Sequence, residues 1–254
     1  MGDMRQGELT LPPLSLNAWL RYDYIKRILD ALDGVERVLE VGTGQGAIGA
    51  RLARDFDYTG IEPDRASYET AQQRLERLGR GRIVHGYVAD LPVEDVFDLV
   101  CAFEVLEHIE DDVAALSEWG HRVRPGGYAM ISSPAFSDRF GPFDRFAGHY
   151  RRYEREQFVE LLRASGFVDA SVFTYGFLLG QTLEKVRDAL VDRRASTGSM
   201  EERTAASGRW GHPSGGIGWL TMAAAAPFRL LQRPFERSGI GTGFVAVARR
   251  APTS

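Results

Sequence analysis

Short apolar runs alternate along the chain with longer segments in which apolar residues recur every three or four positions. Residues 16 to 32 have this second pattern, which predicts a helix with Asn17 as its N-cap that ends at Leu32, just before a stop signal at Gly34. Residues 35 to 41 form an apolar run that predicts a strand, and a glycine-rich turn and another helix follow it directly. A strand, a glycine turn and a helix in this order are typical of a βαβ unit.

The alternation of strands and helices continues toward the carboxyl end. Further strands are predicted to end at Ile61-Glu62, to cover 82–88 and 97–102, to end near Ser132, and to cover 171–175 and 243–248. Further helices are predicted over 64–78, 112–123 and 154–165. This order predicts a doubly wound α/β fold, in which a mostly parallel sheet lies between two helical layers, α/β/α.

Residues 177–237 interrupt this order before the last strand. Apolar spacing predicts one helix from Leu179 to Leu190 and a second over 217–235, and the residues between them, 192–216, form a Gly- and Ser-rich linker. We predict a single domain over 1–254, in which the interruption is a helical lid or cap. The alternative is that these helices complete the core or form a dimer contact.

The composition of the chain excludes several classes of protein. The 254 residues suffice for one substantial α/β domain, and the net charge of −4 provides no basic face for nucleic acid. Cys101 is the single cysteine, which excludes an internal disulfide framework and favours a reducing compartment. No secretory signal is visible, and no apolar stretch reaches the roughly 18 to 20 residues of a membrane span. We expect a cytoplasmic monomer or homodimer that does not bind nucleic acid.

Carboxylates follow or end the first three strands. Glu40 lies two residues before Gly42, Glu62 ends the second strand, and Asp90 follows the third. Residues 44–49 also match the glycine pattern of dinucleotide sites, so an NAD-dependent oxidoreductase is one alternative. A carboxylate beside the glycine turn would repel a pyrophosphate, however, and better suits a cationic ligand that carries an amino group and a sulfonium.

Five segments resemble the motifs of class I, Rossmann-like methyltransferases that depend on S-adenosylmethionine. They are 38–46 (VLEVGTGQG), 61–62 (IE), 88–92 (VADLP), 97–108 (FDLVCAFEVLEH) and 123–127 (VRPGG). The resemblance extends over roughly residues 17 to 176 and implies a seven-stranded sheet whose last strand is antiparallel. The chain is most similar to small-molecule enzymes such as the ubiquinone and menaquinone biosynthesis methyltransferases, which 148–153 (GHYRRY) also resembles.

The resemblance implies S-adenosylmethionine as the cofactor and S-adenosylhomocysteine as its product. Glu40 and the glycines would hold the methionine part, Glu62 the ribose and Asp90 the adenine. The complete set of predicted cofactor-binding residues is Glu40, Gly42, Thr43, Gly44, Gly46, Glu62, Pro63, Asp90, Leu91, Phe103 and Glu104.

A methyltransferase must align its acceptor, exclude water and, for acceptors such as phenols, remove a proton near neutral pH. Histidine suits the proton transfer, and His108 and His149 are the candidate catalytic residues. The alternative for His108 is that it packs against the helix that follows it. His85, His121 and His212 are expected to be structural or solvated.

Arginine and tyrosine residues next to His149 are the candidates for acceptor binding, because paired arginines suit a carboxylate or phosphate. The predicted substrate-binding residues are Tyr22, Tyr150, Arg151 and Arg152. The alternative is a solvated helix start in which the two arginines pair with Glu154 and Glu156. Core packing is the alternative for Tyr22.

The acceptor is expected to be a small, anionic or hydrophobic metabolite that is methylated on oxygen, nitrogen or carbon. The apolar residues between 217 and 231 predict either a pocket for a hydrophobic acceptor or a peripheral membrane contact. No residue spacing is typical of a metal site, so no metal is predicted, and the pair Asp111-Asp112 is interpreted as a helix start. A non-catalytic module that binds S-adenosylmethionine is a further alternative.

Overall fold

The computed structural model describes residues 11–191 and 226–252. The strands are β1 Arg37–Val41, β2 Asp57–Glu62, β3 Arg82–His85, β4 Phe97–Phe103, β5 Val123–Pro134, β6 Phe167–Tyr175 and β7 Gly243–Arg250. The helices are α1 Leu16–Leu29, α2 Gly49–Asp55, α3 Arg65–Leu78, α4 Asp112–His121, α5 Pro142–Ala147, α6 Arg155–Ala164 and α7 Leu179–Val191. A further helical stretch covers 226–231.

The seven strands form one sheet in the order β3-β2-β1-β4-β5-β7-β6. The first five strands run parallel to one another, and β7 is antiparallel to both β5 and β6. This arrangement confirms the predicted doubly wound sheet with an antiparallel last strand. The strand order reverses between β1 and β4, and ligands of open α/β sheets bind at the carboxyl ends of strands at such a point.

Both faces of the sheet are covered, as expected for strands that are apolar on both sides. Val38 of β1 and Leu99 of β4 pack with α1, α2 and α3 in one buried cluster. Their chain neighbours Leu39 and Val100 pack on the opposite face with α4 and α6. Successive residues of a strand point to opposite faces, so each central strand contributes to both halves of the core.

The helix ends follow local hydrogen-bonding rules, with small differences from the predicted bounds. Helix α3 begins as predicted, where the Asp64 carboxylate accepts the Ser67 N–H at 2.9 Å, and it ends at Gly79 with φ of 68°. Helix α1 is capped by Ser15 rather than Asn17, because the Ser15 hydroxyl accepts the Ala18 N–H. It ends at Leu29, three residues before the predicted end.

Strand β3 is shorter than predicted, because the chain turns at Gly86 and residues Val88–Asp90 form a 3-10 turn. Helix α4 ends at His121 rather than 123, since Val123 already pairs with Phe97 of β4 as the first residue of β5. Its predicted start is confirmed, because the Asp111 carboxylate accepts the Ala114 N–H at 3.0 Å. Strands β6 and β7 are longer than predicted because they pair along their lengths.

The predicted interruption lies between β6 and β7, and its first predicted helix corresponds to α7, which packs against α5 and α1. The linker 192–216 and the start of the second predicted helix lie outside the described residues. The Gln232 side chain, after the stretch 226–231, donates to the Leu20 carbonyl and accepts the Gly176 N–H. These two bonds join this part of the chain to α1 and to the end of β6. Among 11–191 and 226–252, no helix is long and apolar enough to cross a membrane.

Candidate functional site

A cavity of about 1180 Å³ lies at the carboxyl ends of β1, β2 and β4, where the strand order reverses. Its first half is formed by the ends of β1 and β2, the glycine turn and the segment after β3. Its second half is formed by the segment after β4, α5, the loop after α5, and α7. The predicted site residues that line it are Glu40, Gly42, Thr43, Gly44, Glu62, Pro63, Phe103, Glu104, His108 and His149.

Glu40 ends up almost fully buried beneath the glycine turn. One of its carboxylate oxygens, Oε2, accepts the Tyr58 hydroxyl at 2.6 Å and the Thr43 hydroxyl at 2.8 Å. Burial raises the pKa of Glu40 to about 7, although these two hydrogen bonds lower it. A buried carboxylate without a cationic partner is costly, so this position favours a cationic ligand.

Glu62 ends β2 and bridges two backbone segments at the cavity wall. Its Oε2 accepts the Gly44 N–H at 2.7 Å, and its Oε1 accepts the Asp64 N–H at 2.9 Å. Burial raises the pKa of Glu62, while these backbone hydrogen bonds oppose the rise. Each carboxylate oxygen can accept a second bond, so Glu62 can hold a pair of hydroxyl groups.

The glycine turn places backbone directly against the cavity. Gly44 has φ of 55°, and a side chain built on it would meet no atom within 4 Å, because this residue faces open space. Gly46 lines no part of the cavity. It also has a positive φ, and a Cβ there would lie 2.9 Å from the Cβ of Ala71 on α3. Gly46 therefore packs the turn closely on α3, and its contact with the cofactor stays a prediction.

Asp90 and Leu91 do not line the cavity either, and their contacts with the cofactor stay predictions. The Asp90 carboxylate turns back to accept the Tyr87 N–H at 2.7 Å and so closes the 3-10 turn after β3. Leu91 is buried in the core. The cavity wall after β3 is instead formed by Gly86, Tyr87 and Val88. Tyr87 is 66% exposed although it is a large aromatic residue, which is consistent with a side chain that covers a ligand.

Glu104 follows β4 in an uncommon backbone conformation, with φ of 58°. Its Oε1 accepts the Ser132 hydroxyl at 2.9 Å and the Tyr175 hydroxyl at 3.1 Å, and it pairs with Arg21 of α1 at 3.1 Å. Strained backbone persists where surrounding contacts hold it and clusters at functional sites. Arg21 and Tyr175 line the cavity too, although the sequence pattern did not single them out for a functional role.

The two candidate catalytic histidines meet in the second half of the cavity. The His108 and His149 rings contact edge to face, with 4.6 Å between their centroids. The His149 Nδ1 lies 2.7 Å from Asp144 Oδ1. Burial lowers the pKa of His108 to about 3, and repulsion from His149 adds to this, although a hydrogen bond to the backbone of Gly148 opposes it. His108 is therefore a neutral imidazole at physiological pH.

Glu107 lies beside both histidines and was not predicted as a site residue. Its side chain is fully buried and lines the cavity. Its Oε2 accepts the Ser133 hydroxyl at 2.9 Å, whereas its Oε1 has no hydrogen-bond partner. Burial, with repulsion from Glu104, raises the pKa of Glu107 well above its ordinary value. The only sequence signal was its position next to His108.

The predicted substrate-binding arginines have structural partners instead. Arg152 is buried, and its Nε and Nη2 donate to Asp144 at 2.9 and 2.6 Å, while its Nη1 pairs with Glu184 of α7. Arg151 pairs with Asp112 at 2.7 Å. Neither arginine lines the cavity, and their role in acceptor binding stays a prediction. The ion pairs that the two arginines make do not include the alternative partners Glu154 and Glu156.

The two predicted substrate-binding tyrosines do not line the cavity either. Tyr150 is 41% exposed, and its backbone N–H donates to the Glu107 carbonyl at 2.8 Å. The Arg51 guanidinium of α2 lies over the Tyr22 ring of α1, with 5.6 Å between Arg51 Cζ and the centroid of the ring. Both positions therefore support the backbone and core around the site.

The family profile for a methyltransferase domain matches residues 16–172, which is more than half of the chain. The chain belongs to the methyltransferase-domain family. This membership confirms the predicted family.

Two proteins named as methyltransferases are similar in sequence to this chain. A relative from Mycolicibacterium smegmatis, named a probable S-adenosylmethionine-dependent methyltransferase, is 34% identical over 171 residues, which cover 63% of this chain and 64% of the relative. A ubiquinone biosynthesis O-methyltransferase from Alkalilimnicola ehrlichii is 34% identical over 45% of this chain and 47% of its own. The match thus spans less than two thirds of these relatives.

Among solved structures, a geranyl diphosphate C-methyltransferase from Streptomyces coelicolor A3(2) has a TM-score of 0.58 and 13% identity. The match covers 92% of this chain and 80% of that enzyme. At this identity the likeness concerns the fold alone.

Proposed function

We propose that this methyltransferase transfers the methyl group of S-adenosylmethionine to a small-molecule acceptor bound in the second half of its cavity. One observation carries the proposal: two buried carboxylates and a glycine turn form one half of a continuous cavity, and a histidine cluster lines the other. Its volume of about 1180 Å³ exceeds the roughly 300–1,000 Å³ of most single-ligand pockets. Two ligands therefore fit side by side.

The residues of the first half suit the cofactor. Glu40 and the turn at Gly44 would hold the methionine part, Glu62 would accept the ribose hydroxyls, and Tyr87 and Val88 would border the adenine. Open space at Gly44 and unused acceptor capacity on Glu62 support this assignment. When bound, S-adenosylmethionine supplies an electrophilic methyl group on a sulfonium. The relatives named as dependent on this compound add support.

The second half of the cavity combines apolar and cationic surface. The Arg187 guanidinium of α7 lies 3.5 Å from the centre of the Phe143 ring, and its Nε has no hydrogen-bond partner. A flat or apolar acceptor that carries an anionic group would fit between such residues. Since α7 contributes Leu183, Glu184 and Arg187 to the wall, we assign this helix to acceptor enclosure.

His108 and His149 would contact the reacting part of the acceptor. The Asp144 carboxylate fixes the His149 ring through Nδ1, so that Nε2 is its remaining polar atom. Residues of α1, α5 and α7 form part of the cavity wall, and alignment of two bound reactants is itself a large part of catalysis. Oxygen is the first methylated atom to test, because one relative is named an O-methyltransferase.

Binding and product analysis test this proposal directly. Calorimetric titration should show one S-adenosylhomocysteine per chain and no binding of NADH at the same concentration. Incubation with methyl-labelled S-adenosylmethionine and a pool of phenolic, carboxylate and amine metabolites should then give a labelled product by mass spectrometry. Binding of NADH in place of S-adenosylhomocysteine would overturn the cofactor assignment. Cofactor binding with no labelled product from the whole pool would favour the non-catalytic module.

A further inference from the structure

Three side chains in the second half of the cavity present potential metal-ligand atoms to one another. One ligand atom from each of Glu107, His108 and His149 lies within 4.8 Å of the other two. Two imidazole nitrogens and one carboxylate oxygen form a ligand set that binds Zn²⁺ or Fe²⁺ in many enzymes. Small side-chain adjustments bring such atoms to the roughly 2.0–2.2 Å of a metal–ligand bond.

The Glu107 carboxylate gives an independent indication that a ligand is bound there. This side chain is fully buried, yet its Oε1 has no hydrogen-bond partner in the described residues, and Glu107 is one of the residues that line the cavity. A buried carboxylate oxygen without a partner is expensive, and it is expected only where strain, a catalytic role, or a missing water or ion explains it.

Both histidines are oriented in the way that metal-ligating histidines usually are. Such residues donate one ring N–H to a carboxylate or a backbone carbonyl, which leaves the other nitrogen for the metal. The Asp144 carboxylate takes this role for His149 at 2.7 Å, and the backbone of Gly148 takes it for His108. Asp144 also accepts two bonds from Arg152 and one from Gly141, so it acts as an ionised acceptor.

We propose that Glu107, His108 and His149 bind one divalent transition metal ion, of which Zn²⁺ is the best match to the ligand set. Three protein ligands leave at least one coordination position open to the cavity, as in catalytic rather than structural sites. An oxygen atom of the acceptor would fill that position and be oriented beside the cofactor. This last step rests on the proposed function, whereas the binding of the ion does not.

Binding of the ion alone is the first test. The purified protein, stripped with a chelator and checked for intact S-adenosylhomocysteine binding, is titrated with ZnCl₂ by calorimetry and with MnCl₂ by electron paramagnetic resonance. We expect one Zn²⁺ per chain. His149→Ala and Glu107→Gln should each weaken Zn²⁺ binding by at least about tenfold, since even residues that only orient ligands change metal affinity by about 10–100-fold. His121→Ala, which removes an exposed histidine at the end of α4, is the matched control and should bind Zn²⁺ normally.

X-ray absorption on the Zn²⁺-loaded wild-type protein provides a test that does not depend on the folding of any variant. We expect scattering from two imidazole rings and from oxygen ligands. No stoichiometric Zn²⁺ binding, an equal loss in His121→Ala, or a spectrum without imidazole scattering would overturn the metal site. If S-adenosylhomocysteine still binds in those cases, the proposed methyl transfer stands without the ion. Zn²⁺ binding without S-adenosylhomocysteine binding would refute the cofactor assignment alone.

Discussion

The buried Glu40 carboxylate should make cofactor binding depend on pH near neutrality. In the ligand-free protein its pKa of about 7 means that it is largely protonated below pH 7 and ionised above it. A cationic cofactor binds the ionised form, so affinity is fully present above this pKa and falls as the pH decreases through it. Arg21 of α1 and Glu62 of β2 are the other charged groups close enough to influence it.

The size of the effect follows from the ionised fraction of Glu40. With a pKa of about 7, roughly 0.09 of the molecules carry the charge at about pH 6 and roughly 0.91 at about pH 8. The affinity for S-adenosylmethionine should therefore be about tenfold weaker at the lower pH, which corresponds to about 1.4 kcal/mol. Binding at about pH 6 should also release roughly 0.9 proton from Glu40.

Isothermal titration calorimetry at both pH values, in two buffers with different ionisation enthalpies, measures the affinity and the released protons together. The amino group of the cofactor titrates in a similar range, so the wild type must be compared with Glu40→Gln, in which only the ligand titrates. The difference between the two proteins isolates Glu40. If both proteins show the same pH dependence, the carboxylate does not face the cationic part of the cofactor, and the reasoning is refuted.

Three further predictions distinguish residues that contact the cofactor from residues that only stabilise the surrounding structure. Glu62→Gln should weaken S-adenosylhomocysteine binding by about 1.5 to 3 kcal/mol in calorimetry, because a charged acceptor of the ribose hydroxyls is lost. The control Glu69→Gln, on the exposed side of α3, should bind as the wild type does. Equal affinity in the wild type and both variants would contradict the assignment. Asp90→Asn should change the affinity for S-adenosylhomocysteine by less than about 0.5 kcal/mol, since the side chain closes a turn outside the cavity. A larger loss of affinity would indicate that Asp90 contacts the adenine. Arg152→Met should lower the free energy of urea unfolding by about 3 to 5 kcal/mol, because the buried Asp144 would lose its arginine partner and Glu184 would keep only its ion pair with Arg139. A change below about 1 kcal/mol, as expected for the exposed control Arg163→Met, would show that the ion pairs are not structural.

The parts of the site that the sequence predicts well are those that the sheet itself positions. Glu40 lies one residue before the end of β1, Glu62 ends the neighbouring parallel strand β2, and the carboxyl ends of such strands meet at one edge. Their convergence on the cavity therefore follows from the strand assignment alone. The order of strands and helices likewise gives the layered fold, because alternating strands and helices have few compact arrangements.

The parts that the sequence could not predict depend on where a side chain finds its partner. Asp90 is two residues before a proline-containing loop, but the 3-10 turn that begins at Val88 directs its carboxylate back to Tyr87. Arg152 pairs with Glu184, which lies 32 residues away on α7, and no local pattern predicts that contact. Glu107 becomes a buried site residue only because Ser133 of β5 and the two histidines surround it.

Asp144 connects the His149 ring with the cavity wall formed by α7, although the two lie far apart in the sequence. Its carboxylate holds the His149 ring and also the Arg152 guanidinium, which is tied in turn to Glu184 on α7. The same helix carries Arg187 into the cavity one turn further along. Substitutions on the acceptor-facing surface of α7 that shift this helix should also disturb the His149 imidazole, because they strain the contacts of the Asp144 carboxylate. Changes of acceptor preference should therefore arise together with compensating changes around Asp144.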